Sequence, residues 1–414
     1  MRKIKYEWLL AAFAVAWMSV AVNAADTVKI AFIDPLSGPF ANVGEMEVHA
    51  YQYAIDMVNA RGGVLGGTKL ELVTFDSKAN PQDALLALSK ARDDGIRYIT
   101  QGNSSAVAAA LSDAISKSNS RDPDHPMLFL NYAAVDPALT NDRCSFWHFR
   151  FDADADMKMS AMTDTIASTP SIKKVYLINQ DYSFGQAVSK AARTMLAQKR
   201  PDVAIVGDDL HPLGKVKDFS PYIAKIKASG ADSIITGNWG NDLILLIKAS
   251  REAGLTTEFY TYYANSPGTL TALGDAAVGH IKNVHVYPVN PTNDRSAKYL
   301  GGYRDKYKED YIQSQHGVTI EMLVLAIDKA RSTDPIKVAR ALEGMSYEWL
   351  YGPVQMRADN HQLIQPLYIA SVQKVDGKDV KFDHDKTGMG WKAERRIDGK
   401  DTVMSTTCKM ERPQ

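Results

Sequence analysis

Strand-like and helix-like patterns alternate along this chain, and the alternation occurs twice. From Thr27 the order is "TVKIAFID" (strand), "EMEVHAYQYAIDMVNARGG" (helix), "KLELVTFDS" (strand) and "PQDALLALSKARDD" (helix). It continues with "IRYIT", a helix opened at Ser104, and "PMLFLN". Compact apolar runs between segments of 3.6-residue periodicity predict βαβ units and a largely parallel, doubly wound sheet. Gly62 and Gly63 stop the first helix where a left-handed cap belongs, and Pro81 opens the second. Near Lys173 the pattern restarts with "KKVYLINQ", a helix from about Phe184, "VAIVGDD", "PYIAKIKASG", "SIITGNW", "NDLILLIKASREAG" and "EFYTYY". The stretch from Ser296 to Glu343 reads as mostly helical. The tail reads as antiparallel strands at "GPVQMR", "LYIASVQKVDG" and "KDVKFD".

Two similar α/β units predict two lobes with a cleft between them. In such sheets ligands sit beyond the carboxyl ends of the strands. Those ends are "DPLSGPF", "DSKAN", "QGNSS" and "NYAAVD" in the first unit, and "NQDYSFG", "GDDLHP", "TGNWGND" and "YYANSPG" in the second. They are rich in glycine, small polar residues and aromatics, the composition of ligand-contacting loops. "TQGNSSAVAAALSDAI" runs from a strand end into a helix, with Ser104 and Ser105 at the helix start. Free N–H groups and the positive dipole end make that a place for an anion, or simply a pair of helix caps.

The 48 basic residues balance the 48 acidic ones, so no net field points to nucleic acid. "MRKIKYEW" followed by "LLAAFAVAWMSVAV" and a small-residue site reads as a secretory signal peptide over 1–24, which predicts export to a periplasm. In an oxidising compartment Cys144 and Cys408 are expected to pair, two separate buried thiols being the other arrangement.

No constellation for chemistry is visible: there is no GxxxxGK[ST], GxSxG, HExxH or CxxC. "DADAD" at Asp152 to Asp156 lacks the glycine and the glutamate of a calcium loop and reads as acidic residues before a helix. His148 is read as structural. The expectation is a binding module with no metal, no cofactor and no catalytic residue.

"IAFIDPLSGPFANVGEMEVHAYQYAIDMVNARGGVLGG", "QGNSSAVA", "LNYAAVDPALT" and "NQDYSFGQA" resemble the branched-chain amino acid-binding proteins of ABC transporters, the hydrophobic amino acid and amide uptake family. The resemblance covers essentially the whole mature chain. It implies a type I periplasmic binding protein: two doubly wound lobes, three crossing segments and a closing cleft. The expected division is 25–148 plus 282–350 for lobe 1, 149–281 plus 351–385 for lobe 2, and 386–414 as a tail returning towards the hinge. It also implies a monomer that takes a small-molecule ligand and hands it to permease subunits in the inner membrane.

The family's serine turn matches Ser104 and Ser105, which the resemblance implies hold a ligand carboxylate. Its post-strand alanines match Ala133 and Ala134, while Val135 lacks the hydroxyl of the family's threonine. Its second-lobe aromatics match Tyr182 and Trp239. Amino acid-binding members hold the ammonium with a glutamate, where this chain has Asn265, with Asp242 and Asp181 of the same unit as candidate substitutes. An amide cannot neutralise a buried ammonium. Phe40, Tyr132, Phe184, Tyr262 and Tyr263 add aromatic surface at the strand ends. Asn131 is a further candidate, and Arg150 is either an additional carboxylate partner or a structural arginine at a crossing. The expected ligand is therefore an aromatic acid of benzoate or hydroxycinnamate type. The alternatives are a branched-chain amino acid or amide, or a sensor that presents its ligand to a receptor.

Overall fold

The computed structural model describes residues 27–413, so the expected signal peptide over 1–24 lies outside the described residues. The first sheet is entirely parallel. Its strands are β1 (Val28–Asp34), β2 (Leu70–Asp76), β3 (Tyr98–Gln101), β4 (Leu128–Asn131) and β5 (His148–Arg150), in the order β2-β1-β3-β4-β5. Helices α1 (Ala41–Ala60), α2 (Pro81–Asp93) and α3 (Ser105–Arg121) make the crossovers. Every residue of β1 except Lys29 is buried, as a central parallel strand covered on both faces requires.

The chain crosses to a second lobe at α4 (Ala155–Ala167) and continues through β6 (Lys174–Gln180), α5 (Ser183–Lys199), β7 (Ala204–His211) and α6 (Ser220–Ser229). Then come β8 (Ser233–Thr236), α7 (Gly240–Glu252), β9 (Glu258–Thr261), α8 (Thr269–Leu273) and β10 (Ile281–His285). It returns through α9 (Asp294–Tyr307), α10 (Gln315–Ala330) and α11 (Pro335–Leu342); α9 and α10 pack on α1. Strands β11 (Ser346–Trp349), β12 (Gly352–Met356) and β13 (Leu363–Ile364) form a small antiparallel sheet. The third crossing leads to β14 (Leu367–Lys374) and β15 (Met389–Ile397), which complete the second sheet in the order β15-β14-β10-β9-β8-β6-β7.

The strands move the expected lobe boundaries. β10 pairs with β9 and β14, so the second crossing follows His285 rather than residue 281. β12 pairs with β11 and β13 with β12, outside the second sheet to which residues 351–385 were expected to contribute from their start. The last strand is β15 and not "KDVKFD", so part of the expected tail is a sheet edge. Short antiparallel segments carry little periodicity, and pairing partners decide them.

Cys144 and Cys408 form a disulfide with Cα atoms 5.7 Å apart, bringing the C-terminus back beside β5. "DADAD" supplies local structure: Asp152 pairs with buried Lys158 at 2.7 Å, and Asp154 caps α4 by accepting from the Met157 amide. No helix among the described residues is long and apolar enough to cross a membrane.

Candidate functional site

Asp34 ends β1 and is fully buried. Its carboxylate accepts the backbone N–H groups of Gly102 and Asn103, both at 2.9 Å, and so folds the β3–α3 turn against β1. Gly102 has no room for a side chain, because a Cβ there would lie 2.5 Å from the Tyr132 ring. The turn leaves Ser104 at φ 147°, a conformation that side-chain-bearing residues avoid and that tends to collect at functional sites.

The first intrahelical bond of α3 runs from the Ala108 amide to the Ser104 carbonyl, so the amides of Ser105, Ala106 and Val107 precede the hydrogen-bonded ladder. Ser104 Oγ accepts weakly from the Val107 amide at 3.4 Å. Ser105 Oγ accepts from the Asp136 amide at 3.1 Å, which ties the β4 loop to the helix start. Both hydroxyls are used as acceptors, so both keep a proton to donate.

These groups face a small cavity between the lobes. Val43, Gly102, Asn103, Ala133, Ala134, Val135 and Gln313 complete its first-lobe side. The second lobe contributes Tyr182, Phe184, Trp239, Tyr263 and Ser266. Tyr182 and Trp239 are the N-cap residues of α5 and α7, and neither helix start has a side-chain cap. Trp239 Nε1 donates to Tyr182 Oη at 2.9 Å, which leaves the tyrosine proton free. Three helix N-termini therefore converge on an aromatic-walled cavity, an arrangement that favours a negative group.

Of the expected site residues, Ser104, Ser105, Ala133, Ala134, Tyr182, Trp239 and Tyr263 line the cavity. Five others do not. Asn131 is buried beneath the loop, where its Oδ1 accepts the Ala133 and Ala134 amides at 3.2 and 2.7 Å. Those two amides are thereby occupied, so the alanines offer the cavity their methyl groups and carbonyl edges. Tyr132 turns into the core, stacked on Phe32, with its hydroxyl between Asp34 and Glu47. Arg150 is fully buried and saturated by Gln362, the Asp136 carbonyl, Thr140 and Asp154, so it is the structural arginine of the first crossing. Asn265 is buried and donates to the Ile312 carbonyl at 2.5 Å.

Phe40 is the fifth. It reaches across from the first lobe and stacks on Trp239, with ring centroids 4.2 Å apart. Its socket is lined by two second-lobe glycines. A Cβ on Gly214 or Gly240 would come within 3.0 or 2.7 Å of its ring. Phe40 acts as a latch between the lobes and stands outside the cavity lining.

Asn103, Phe184, Ser266 and Gln313 also belong to the lining, and of these only Phe184 is named from the sequence, as aromatic surface at a strand end. The first three sit in strand-end stretches whose composition already marked them. Gln313 sits between α9 and α10, in a region whose helical pattern carries no mark of a site.

No carboxylate lines the cavity among the described residues. Asp242 is fully buried, and its Oδ2 accepts from Gln180 Nε2 and the Gly214 amide, both at 2.8 Å. Asp34 and Glu47 lie behind Asn103, sharing the Tyr132 hydroxyl at 2.7 and 2.5 Å. Burial pushes the Asp34 carboxyl up to about 7, and burial together with Asp34 raises Glu47 well above its ordinary range. Away from the cavity, donor atoms of Asp310, His384 and Asp385 lie within 4.8 Å of one another, and Arg304 already pairs with Asp310 at 3.1 Å.

Residues 27–379 match the family model described as periplasmic binding protein. This chain belongs to that family. The binding protein is 32% identical, over a 424-residue alignment, to the Leu/Ile/Val-binding protein homolog 4 of Brucella melitensis, covering 98% of this chain and 99% of that one. Its structure is similar to the closed conformation of the leucine-, isoleucine-, valine-, threonine-, and alanine-binding protein of Brucella ovis. The TM-score is 0.82 at 29% identity, over 94% of this chain and 100% of that one. It also shares its fold with a solute binding protein of an ABC transporter from Rhodopseudomonas palustris, solved with 3,4-dihydroxy benzoic acid. There the TM-score is 0.77 at 20% identity, over 90% and 98% of the two chains. The fold is thus the type I periplasmic binding protein expected from the sequence, and the chain is a periplasmic binding protein, not an enzyme.

Proposed function

We propose that this binding protein captures a small aromatic carboxylate in the periplasm and delivers it to an ABC permease. The observation that carries the reading is the cavity lining. It sets Ser104, Ser105 and the α3 N-terminus opposite Tyr182, Phe184, Trp239 and Tyr263, with no acidic side chain among them. A carboxylate at α3 receives hydroxyl and amide hydrogen bonds together with the helix dipole. A flat ring fills the aromatic side through area and edge contacts. An α-ammonium in the same cavity would meet no countercharge, and an unpaired buried charge costs several kcal/mol, roughly. Solute-binding proteins of this fold crystallised with hydroxybenzoates agree with that chemistry.

A second reading rests on a different observation: relatives matched over 98% and 82% of the chain carry names of branched-chain amino acid binders. Thermal-shift screening of the mature protein followed by calorimetry separates the two. The panel holds benzoates, hydroxycinnamates, leucine, valine and short amides. A ligand at about 100 times its Kd adds about 2.7 kcal/mol to the folded state. Stabilisation by an aromatic acid, absent with the matching alcohol, is the expected result. Stabilisation by leucine or valine alone would overturn the aromatic reading.

A further inference from the structure

Gln313 is 5% exposed and lines the cavity, yet its Oε1 is buried without a hydrogen-bond partner. Its Nε2 is committed, donating to Glu47 Oε1 at 2.9 Å. Asn103, on the same side of the cavity, likewise turns its Nδ2 to Glu47 Oε2. Glu47 is fully buried one helical turn beyond Val43, which itself lines the cavity. A single buried carboxyl therefore orients two amides. Each amide nitrogen points back at Glu47, and each amide oxygen points away from it.

That orientation survives protonation. The Tyr132 hydroxyl has one proton and two carboxyl neighbours, Asp34 Oδ2 and Glu47 Oε2. With Asp34 gripping the Gly102 and Asn103 amides as an anion, the hydroxyl donates to Asp34 and a neutral Glu47 donates back through Oε2. Glu47 Oε1 is then a carbonyl oxygen and still accepts from Gln313. With Glu47 ionised the same bond is charge-assisted. In both states, flipping the Gln313 amide would set oxygen against oxygen.

We infer that Gln313 Oε1 is the acceptor for a hydrogen-bond donor on the ligand, and that Glu47 is the positioning residue that presents it. Resting on the aromatic-acid reading, this narrows the ligand class to aromatic acids that carry a hydroxyl or N–H on the ring or side chain. A buried acceptor left unpaired is costly, so a site built around one rejects analogues that lack the donor. The methyl ether of the same acid fills similar space but offers only lone pairs, so it leaves Gln313 unsatisfied.

The test is calorimetry with matched pairs, 4-hydroxybenzoate against 4-methoxybenzoate and 4-hydroxycinnamate against 4-methoxycinnamate. The protein is used as parent, as Gln313→Met and as Glu47→Gln, with folding of each variant checked by its melting curve. The parent is expected to prefer the hydroxy acids at least tenfold. Gln313→Met, which keeps the length of the side chain but not its acceptor, should reduce the ratio to within about threefold while still binding the ring acid. Glu47→Gln leaves the cavity lining unchanged but frees the Gln313 amide to turn, and should also reduce the ratio. Should Gln313→Met fail to fold, the Glu47→Gln ratio decides. A parent that binds ether and phenol alike, or a preference that survives in both variants, would overturn the assignment. If no aromatic acid binds but valine does, the aromatic reading fails on its own. Gln313 is then judged on valine against 3-methyl-2-oxobutanoate, where an amine preference lost in Gln313→Met supports the acceptor role and one retained overturns it.

Discussion

Phe40→Ala should weaken ligand capture without touching the ligand. Phe40 is 4% exposed, stacked on Trp239 at 4.2 Å and seated against Gly214 and Gly240. Trp239 and both glycines belong to the second lobe, so opening the cleft strips away the outer half of this contact. A buried phenylalanine hides roughly 150–250 Å². Taking about 100 Å² of that as covered only on closure, at ~25 cal/mol per Å², gives about 2.5 kcal/mol. The stacked pair adds about 0.5–1.5 kcal/mol. Relaxation of Trp239 onto neighbouring groups returns part of this, so the closed state loses about 3 kcal/mol relative to the open one. Where the open state dominates without ligand, apparent affinity scales with the closed fraction. The expected rise in Kd is then about 100-fold.

Calorimetry gives Kd, and small-angle scattering reports closure at saturating ligand. Gly240→Ala should act in the same direction. Its Cβ would meet the Phe40 ring at 2.7 Å, and the residue sits at φ 58°. The double variant should recover part of the Gly240→Ala loss, because the partner in the clash is gone. A Kd for Phe40→Ala within threefold of the parent would refute the latch.

Two further outcomes are expected. Asp34 holds its proton up to about pH 7 when folded, against about 3.9 in an unfolded chain. Its contribution to stability is therefore fully present below about pH 4 and is lost as pH rises from there to about 7. Urea unfolding at pH 5 and pH 8 should show the parent losing more stability across that interval than Asp34→Asn, and equal losses would contradict the assignment. The Cys144–Cys408 bridge spans 264 residues, and its reduction should lower stability by about 2–4 kcal/mol. Neither cysteine lines the cavity, so at temperatures where the reduced protein is still folded, calorimetry should give the same ligand Kd for the reduced and oxidised forms.

The two-lobed architecture was legible because alternation is local. "TVKIAFID" and "KKVYLINQ" are apolar throughout since parallel central strands are covered on both faces. Glycines and N-cap residues mark where the helices begin and end. Ser104 and Ser105 were legible for the same reason: a strand end, a glycine and two hydroxyls before an alanine-rich helix specify a helix N-terminus by spacing alone. The sequence also announced that aromatic residues crowd the strand ends.

Which of those strand-end residues face the ligand was decided by tertiary structure. Asn131, Tyr132 and Asn265 have the composition of site residues, but loop geometry turns each inward to satisfy a buried group. Arg150 is consumed by four partners drawn from three separate segments. Glu47, Asn103 and Gln313 meet across 266 residues of chain between Glu47 and Gln313, a separation that no periodicity encodes. Local pattern records backbone geometry and burial, whereas the direction of a polar side chain depends on which distant donor or acceptor the completed fold sets beside it.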